Sequence, residues 1–127
     1  MNIVDSSGWL EYFADGPNAS FFSRPLAKAS DLVVPSITIY EVFKVVLRQR
    51  SESDALQSAA LMQQGFVVDL TTDISIMAAR VSVECRLPMA DSIILATSRL
   101  YGATIWTQDS DFEGIDGVQY VAKKTDR

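Results

Sequence analysis

Five short runs of strand character, 2–4, 32–35, 66–68, 103–106 and 118–121, punctuate this chain, with helical patterns between them. They are rich in Val and Ile and bounded by Asp, Ser, Pro or Gly. Strands this short and this apolar are buried on both faces, and strands joined through helices are parallel. The expected fold is therefore α/β: one domain over residues 1–127, with a short, mostly parallel central sheet flanked by helices on both faces. Parallel strands point their C-terminal ends to one edge, which is where α/β sites are built.

The segments between these runs carry their own punctuation. Ser6 or Ser7 can cap a helix through Trp9, Leu10, Tyr12 and Phe13, and Asp15-Gly16-Pro17-Asn18 breaks it. Ala19 to Ala29 resumes a helical pattern with Pro25 inside it, which predicts a kink or a later start. Ser36 opens a long helix to about Arg50, Ser51-Glu52-Ser53-Asp54 separates it from the next, and that helix stops at Gly65. Thr71, Thr72 or Asp73 caps a helix with Arg80 and Glu84 as an i,i+4 pair. Leu87-Pro88 interrupts, and a strongly apolar helix runs to Gly102.

Composition narrows the chemistry by what it lacks. The 127 residues contain no His and one Cys, so there is no imidazole base, no Ser-His-Asp triad and no His- or Cys-ligated zinc site. Any metal must be held by oxygen, which points to Mg²⁺ or Mn²⁺. A lone Cys85 excludes an internal disulfide and makes the cytosol the default compartment. Met1-Asn2 passes directly into Ile3-Val4-Asp5, so neither a signal peptide nor a membrane span is expected. The net charge of -5 is not the footprint of a basic nucleic-acid binder, although acids gathered around a metal can coexist with a basic rim.

Five acids stand out by position. Asp5 follows the first strand run, where its local role would be a helix N-cap. Glu41 shares a helix line with Ile37 and Val45; a carboxylate there is unfavourable unless it is paired, with Lys44 or Arg48, or bound to a metal. Asp91 lies in the first turn of its helix, where the dipole favours any acid. Asp109 and Asp111 straddle a tight turn after the 103–106 run, and Asp is common in turns for local hydrogen-bonding reasons. Each position has an ordinary explanation. Parallel topology lets Asp5 and Asp109 converge at one sheet edge, and three or four convergent carboxylates there would repel and raise one another's pKa unless a cation joined them. Such a site can activate water against a phosphodiester.

The segments Val4-Asp5-Ser6-Ser7, Tyr40-Glu41, Leu87-Pro88-Met89-Ala90-Asp91 and Thr107-Gln108-Asp109-Ser110-Asp111-Phe112 resemble the PIN-domain nucleases. The likeness is nearest to the single-domain VapC-type toxins of bacterial toxin–antitoxin pairs and runs through nearly the whole chain. It implies a Mg²⁺- or Mn²⁺-dependent endoribonuclease. Asp5, Glu41, Asp91 and Asp109 would form its acidic quartet, with Asp111 as an auxiliary acid. Asp5, Asp91 and Asp109 would be the metal ligands, direct or through water, and Glu41 would orient the metal or the attacking water. Thr107 and Ser6 would be hydrogen-bond partners of the acids. The resemblance also implies a homodimer neutralised by a cognate antitoxin, whose C-terminal segment wraps the toxin. The first two helices, with Trp9, Tyr12, Phe13, Phe21 and Phe22, are the expected receiving surface. Those aromatic residues can alternatively stack bases or belong to the core. Lys44, Arg48, Arg50 and Arg86 are candidates to hold RNA phosphates beside the metal.

Two other classes fit parts of the pattern. A Mg²⁺-binding phosphoacceptor of the receiver type also clusters acids in an α/β fold, and it wants a Lys after a late strand, which Lys123 offers. A binding partner with a vestigial site is the other.

Overall fold

The computed structural model describes residues 1–125. The expected strands form: β1 (Asn2–Val4), β2 (Val33–Pro35), β3 (Phe66–Val68), β4 (Thr104–Thr107) and β5 (Val118–Tyr120). Every pairing among them is parallel. The central sheet differs from expectation in one respect, because it divides into two ladders, β1-β4-β5 and β2-β3. A single parallel bridge, Asn2 to Leu32, links them. Strands of three residues make few ladder bonds, and between β1 and β2 the pairing is reduced to that one bridge.

Across the bridge the strand order is β3-β2-β1-β4-β5. The chain therefore winds one way from β1 to β3 and the other way from β1 to β4, so β1 and β4 flank a topological switch point. Ile3 pairs with Ile105 and Val4 with Trp106. Alternate residues of these strands face opposite sides and separate two cores. Ile3, Val33 and Ile105 pack with α5 (Thr72–Cys85) and α6 (Met89–Tyr101). Val4, Val34 and Trp106 pack with α1 (Ser6–Phe13), α2 (Ala19–Leu26), α3 (Ser36–Gln49) and α4 (Glu52–Met62). Helices thus cover both faces, as the unbroken apolar character of the strands requires.

The helix ends hold several differences. Of the caps the sequence offered for α1, Asp5 takes the role and Ser6 and Ser7 do not, and the Asp5 carboxylate accepts from the Gly8 amide. Pro25 does not delay the start of α2, which begins at Ala19; the helix ends one residue after it, and a short 3₁₀ turn, Ala29–Asp31, leads to β2. Ser51 is the N-cap of α4, so Glu52 to Asp54 form its first turn and not a spacer. Thr71 caps α5. Among the described residues the ion pair present is Lys28–Asp31, so neither Arg80–Glu84 nor a pairing of Glu41 with Lys44 or Arg48 forms.

Helix α6 is the central pillar. Ser92 to Ser98 are all buried, and the hydroxyls of Thr97 and Ser98 donate to the helix's own carbonyls at Ile93 and Leu95, which leaves no orphan polar group inside. Its first turn carries Asp91 to the sheet edge where β1 and β4 end.

Candidate metal centre

The crevice at the switch point is built from the residues that leave β1 and β4. Asp5 is 2% exposed and its orientation is fully specified. Its Oδ1 accepts from the Gly8 amide at 2.9 Å and from the Ser7 hydroxyl at 2.7 Å, while Thr107 Oγ1 donates to its Oδ2 at 2.5 Å. Gly8 makes this approach feasible, since a Cβ there would sit 2.6 Å from both Val4 and Phe22 side chains. Burial nevertheless outweighs the three donors. Desolvation, with a smaller push from the charge of Asp109, raises the Asp5 carboxyl from its ordinary 3.8 to about 6.

Thr107 also holds the turn beyond β4. The Asp109 amide donates to Thr107 Oγ1 at 2.9 Å, and the Asp111 amide donates to Asp109 Oδ1 at 2.9 Å. Asp109 thereby caps the 3₁₀ turn Ser110–Phe112. Buried Phe112 anchors that turn in the core. This brings Asp91, Asp109 and Asp111 together, each offering an oxygen within 4.8 Å of the others. Partial burial and the negative charges of Asp109, Asp5 and Asp111 raise the Asp91 carboxyl from 3.8 to about 7. The donor set is entirely hard oxygen and carries charge that nothing among the described residues neutralises, a set that fits a divalent cation of the Mg²⁺ or Mn²⁺ kind.

Of the five acids singled out in the sequence, then, three meet directly. Asp5 lies outside that trio but near enough for its charge to act on Asp91, and of its two oxygens Oδ2, with one donor, has the more spare acceptor capacity. Glu41 is not among the acids brought together; it is half-buried on α3, with the Ser6 hydroxyl donating to its Oε1 at 2.5 Å. Ser6 and Thr107 thus both bond acids, Ser6 to Glu41 and Thr107 to Asp5.

The basic and aromatic candidates divide. Lys44 lies over the Tyr40 ring, 5.6 Å from its centroid, and Arg48 and Arg86 are exposed. Arg50 lines a cleft of about 480 Å³ between α1, α3 and α4, with Lys123 on the same wall and Ser7 and Gln108 among its other lining residues. Trp9 and Phe22 are core residues and offer no ring face to a base, and Phe21 is packed on Trp106. Tyr12 and Phe13 remain at the surface, beside a smaller cavity shared with Leu26 and Leu61. Sequence reasoning passed over Ser7, Asn18 and Gln108 as site residues. No periodicity flags them, because each acts through a side chain at the end of an element.

A family model for the PIN domain matches residues 3–118. The chain belongs to the PIN-domain family. Its PIN fold aligns with a chain of a toxin–antitoxin complex from Klebsiella pneumoniae at 22% identity and a TM-score of 0.78, over 94% of this chain and 96% of that one. It aligns with the sarcin-ricin-loop-cleaving toxin VapC20 of Mycobacterium tuberculosis at 20% identity and 0.76, over 91% and 95%. A DNA-bound VapBC from Salmonella typhimurium aligns at 16% identity and 0.70, over 96% and 98%. At these identities the likeness is one of fold. No curated protein is similar enough in sequence to count as a match. Among the described residues no helix is long and apolar enough to cross a membrane.

Proposed function

We propose that this chain, as one nuclease domain over residues 1–127, is a Mg²⁺- or Mn²⁺-dependent endoribonuclease and the toxin of a toxin–antitoxin pair. The observation that carries this reading is the meeting of Asp91, Asp109 and Asp111 at the switch point of the sheet. Membership of the PIN family and the fold shared with toxin chains support it.

In this reading Asp91, Asp109 and Asp111 hold the cation, and Asp5 joins them through the free side of Oδ2. The bound cation supplies charge neutralisation and a water of lowered pKa at the phosphodiester. Asp91 must be ionised to take part, and a cation lowers the pH at which that happens. Glu41, steadied by Ser6, orients the attacking water at the rim. Arg50 and Lys123 line the cleft that also takes in Ser7 and Gln108, beside the acids Glu11 and Asp54, and in this reading those two cations hold RNA phosphates. The homodimer and the cognate antitoxin belong to the same proposal. Tyr12, Phe13, Leu26 and Leu61 border the surface on which an antitoxin segment would lie. The receiver-type alternative loses ground to the family match, and Lys123 lines the cleft of α1, α3 and α4.

Purified protein should cleave RNA with Mg²⁺ or Mn²⁺ and stop with chelator, and Asp91→Asn should lower the rate by about 100-fold or more. Equal residual cleavage by wild type and Asp91→Asn would assign the activity to a contaminant and sink the reading. Growth arrest on expression of the chain alone, relieved by a co-expressed antitoxin, tests the toxin role.

A further inference from the structure

Gln108 stands between the two residues that organise the acids: Thr107 holds Asp5, and Asp109 is in the trio. Its side chain points the other way, into a buried polar knot. Gln108 Oε1 accepts from Asn18 Nδ2 at 2.9 Å, and its Nε2 donates to Glu11 Oε1 at 3.3 Å and to the Ser7 carbonyl at 3.5 Å. Asn18 in turn donates from Nδ2 to the Ala122 carbonyl at 3.0 Å and from its amide to Glu11 Oε2 at 2.7 Å. Glu11 can lie against the 15–18 turn only because Gly16 has no side chain, since a Cβ there would meet its carboxylate at 2.5 Å. Asn18 and Gln108 are 2% and 7% exposed, and no buried polar side-chain atom among the described residues is left without a partner.

The knot joins four places in the chain: the middle of α1, the start of α2, the exit of β4 and the segment after β5. The backbone of Gln108 is held on the site side as well, where its amide donates to Ser7 Oγ at 3.3 Å, and Ser7 Oγ donates to Asp5. The exit of β4 is thus clamped on both faces between Thr107 and Asp109.

We infer that Gln108 is a positioning residue for the proposed metal centre. Its carboxamide, gripped by Asn18 and Glu11, sets the angle at which the β4 exit presents Asp109 to Asp91 and Asp111. This inference rests on the reading of the trio as a cation site. The partners of metal-holding groups govern affinity when their own geometry is fixed, with losses of about 10- to 100-fold when they are removed.

The direction of the bond between residues 11 and 108 gives a test. Gln108→Glu sets two carboxylates against each other inside the knot. In the double variant Glu11→Gln with Gln108→Glu the bond between residues 11 and 108 forms with donor and acceptor exchanged, and Asn18 keeps acceptors at both positions. The 3.5 Å contact to the Ser7 carbonyl is lost in the single and the double variant alike. Mn²⁺ affinity of the RNA-free protein, measured by titration, should fall about tenfold in Gln108→Glu and return to within about threefold of wild type in the double variant. In RNA cleavage kcat should follow the Mn²⁺ affinity while KM stays within about twofold. Gln108→Met, similar in size and uncharged, should show the same loss if Gln108→Glu does not fold. Wild-type Mn²⁺ affinity in both single variants, with only the melting temperature lowered, would make the knot purely structural and overturn the inference alone. A wild-type protein that binds no Mn²⁺ would overturn the cation site and this inference with it.

Discussion

Asp5 and Asp91 are the same residue type at two corners of one crevice, and the chain treats them in opposite ways. Asp5 is buried, with three donors fixing both of its oxygens. Asp91 is half-buried, and among the described residues neither a backbone amide nor a hydroxyl reaches it. What surrounds Asp91 is negative charge from Asp5, Asp109 and Asp111. Asp5 is part of the scaffold and its stabilisation is internal. Asp91 is part of a set whose negative charge no described side chain pairs, and on the proposed reading that separates an acid that chiefly holds the cation from one that chiefly caps a helix and joins the cation through Oδ2.

The contrast breaks most visibly in stability. At about pH 4, where ionisation of the buried Asp5 does not yet weaken the fold, Asp5→Ala removes the N-cap of α1 and leaves the Ser7 and Thr107 hydroxyls without their acceptor, which costs about 3 kcal/mol in total. Thermal unfolding should show a melting temperature lowered by roughly 10 °C. Asp91→Ala should show no such loss in metal-free protein. If both destabilise alike, the two acids do not differ as their partners imply.

Cation binding should separate the acids the other way. Asp109→Asn keeps the Asn side-chain oxygen that caps the 3₁₀ turn at the Asp111 amide but removes a charge from the trio. Titration with Mn²⁺ should record an affinity lower by about 100-fold, or about 2.7 kcal/mol, with the fold unchanged in circular dichroism. A loss no larger than that of an exposed acid elsewhere, such as Asp73, would remove Asp109 from the cation-holding set.

A smaller effect lies in the pH dependence. Asp5 and Asp91 both hold a proton more tightly folded than unfolded, with folded values of about 6 and about 7 against 3.8. The metal-free fold therefore loses stability as the pH rises from about 4 to about 7, where the unfolded chain has already released these protons. Asp91→Asn should relieve its share of that loss. Discounted for the solvent screening of a half-exposed group, the gain is about 1 kcal/mol at pH 8 and nothing at pH 4. Unfolding curves at both pH values check this, and Mg²⁺ should stabilise wild type more at pH 8 than at pH 5.

Much of the fold and the site was legible in the sequence, and the residues show where legibility ended. Runs such as Val33-Val34 and Ile105-Trp106 encode parallel strands because their burial on both faces leaves no polar alternation. Asp91 and Asp109 could be singled out because they stand at element ends in an order that topology carries to one edge. The cap at Asp5 competed with Ser6 and Ser7, and local chemistry alone could not choose among three good capping side chains. The choice depends on Thr107, about a hundred positions away, which donates to Asp5. The break between β1 and β2 and the Asn18–Gln108 contact both depend on folding of the whole chain. Neither leaves a local pattern.

Ser6 and Glu41 offer the finest test of the contrast, because Glu41 falls between the two kinds of acid. Like Asp5 it has a hydroxyl donor, and like Asp91 it is only half-buried. If it works at the rim and not as a holder of the cation, Ser6→Ala should lower kcat by about threefold, leave Mn²⁺ affinity within about twofold and lower stability by no more than about 1 kcal/mol. Effects of this size reflect the loss of one hydrogen bond to a carboxylate that keeps its access to water. A drop in Mn²⁺ affinity as large as that of Asp109→Asn would instead place Glu41 among the acids that hold the ion, and the division between scaffold and ligand would then run through α3 as well as through the ends of β1 and β4.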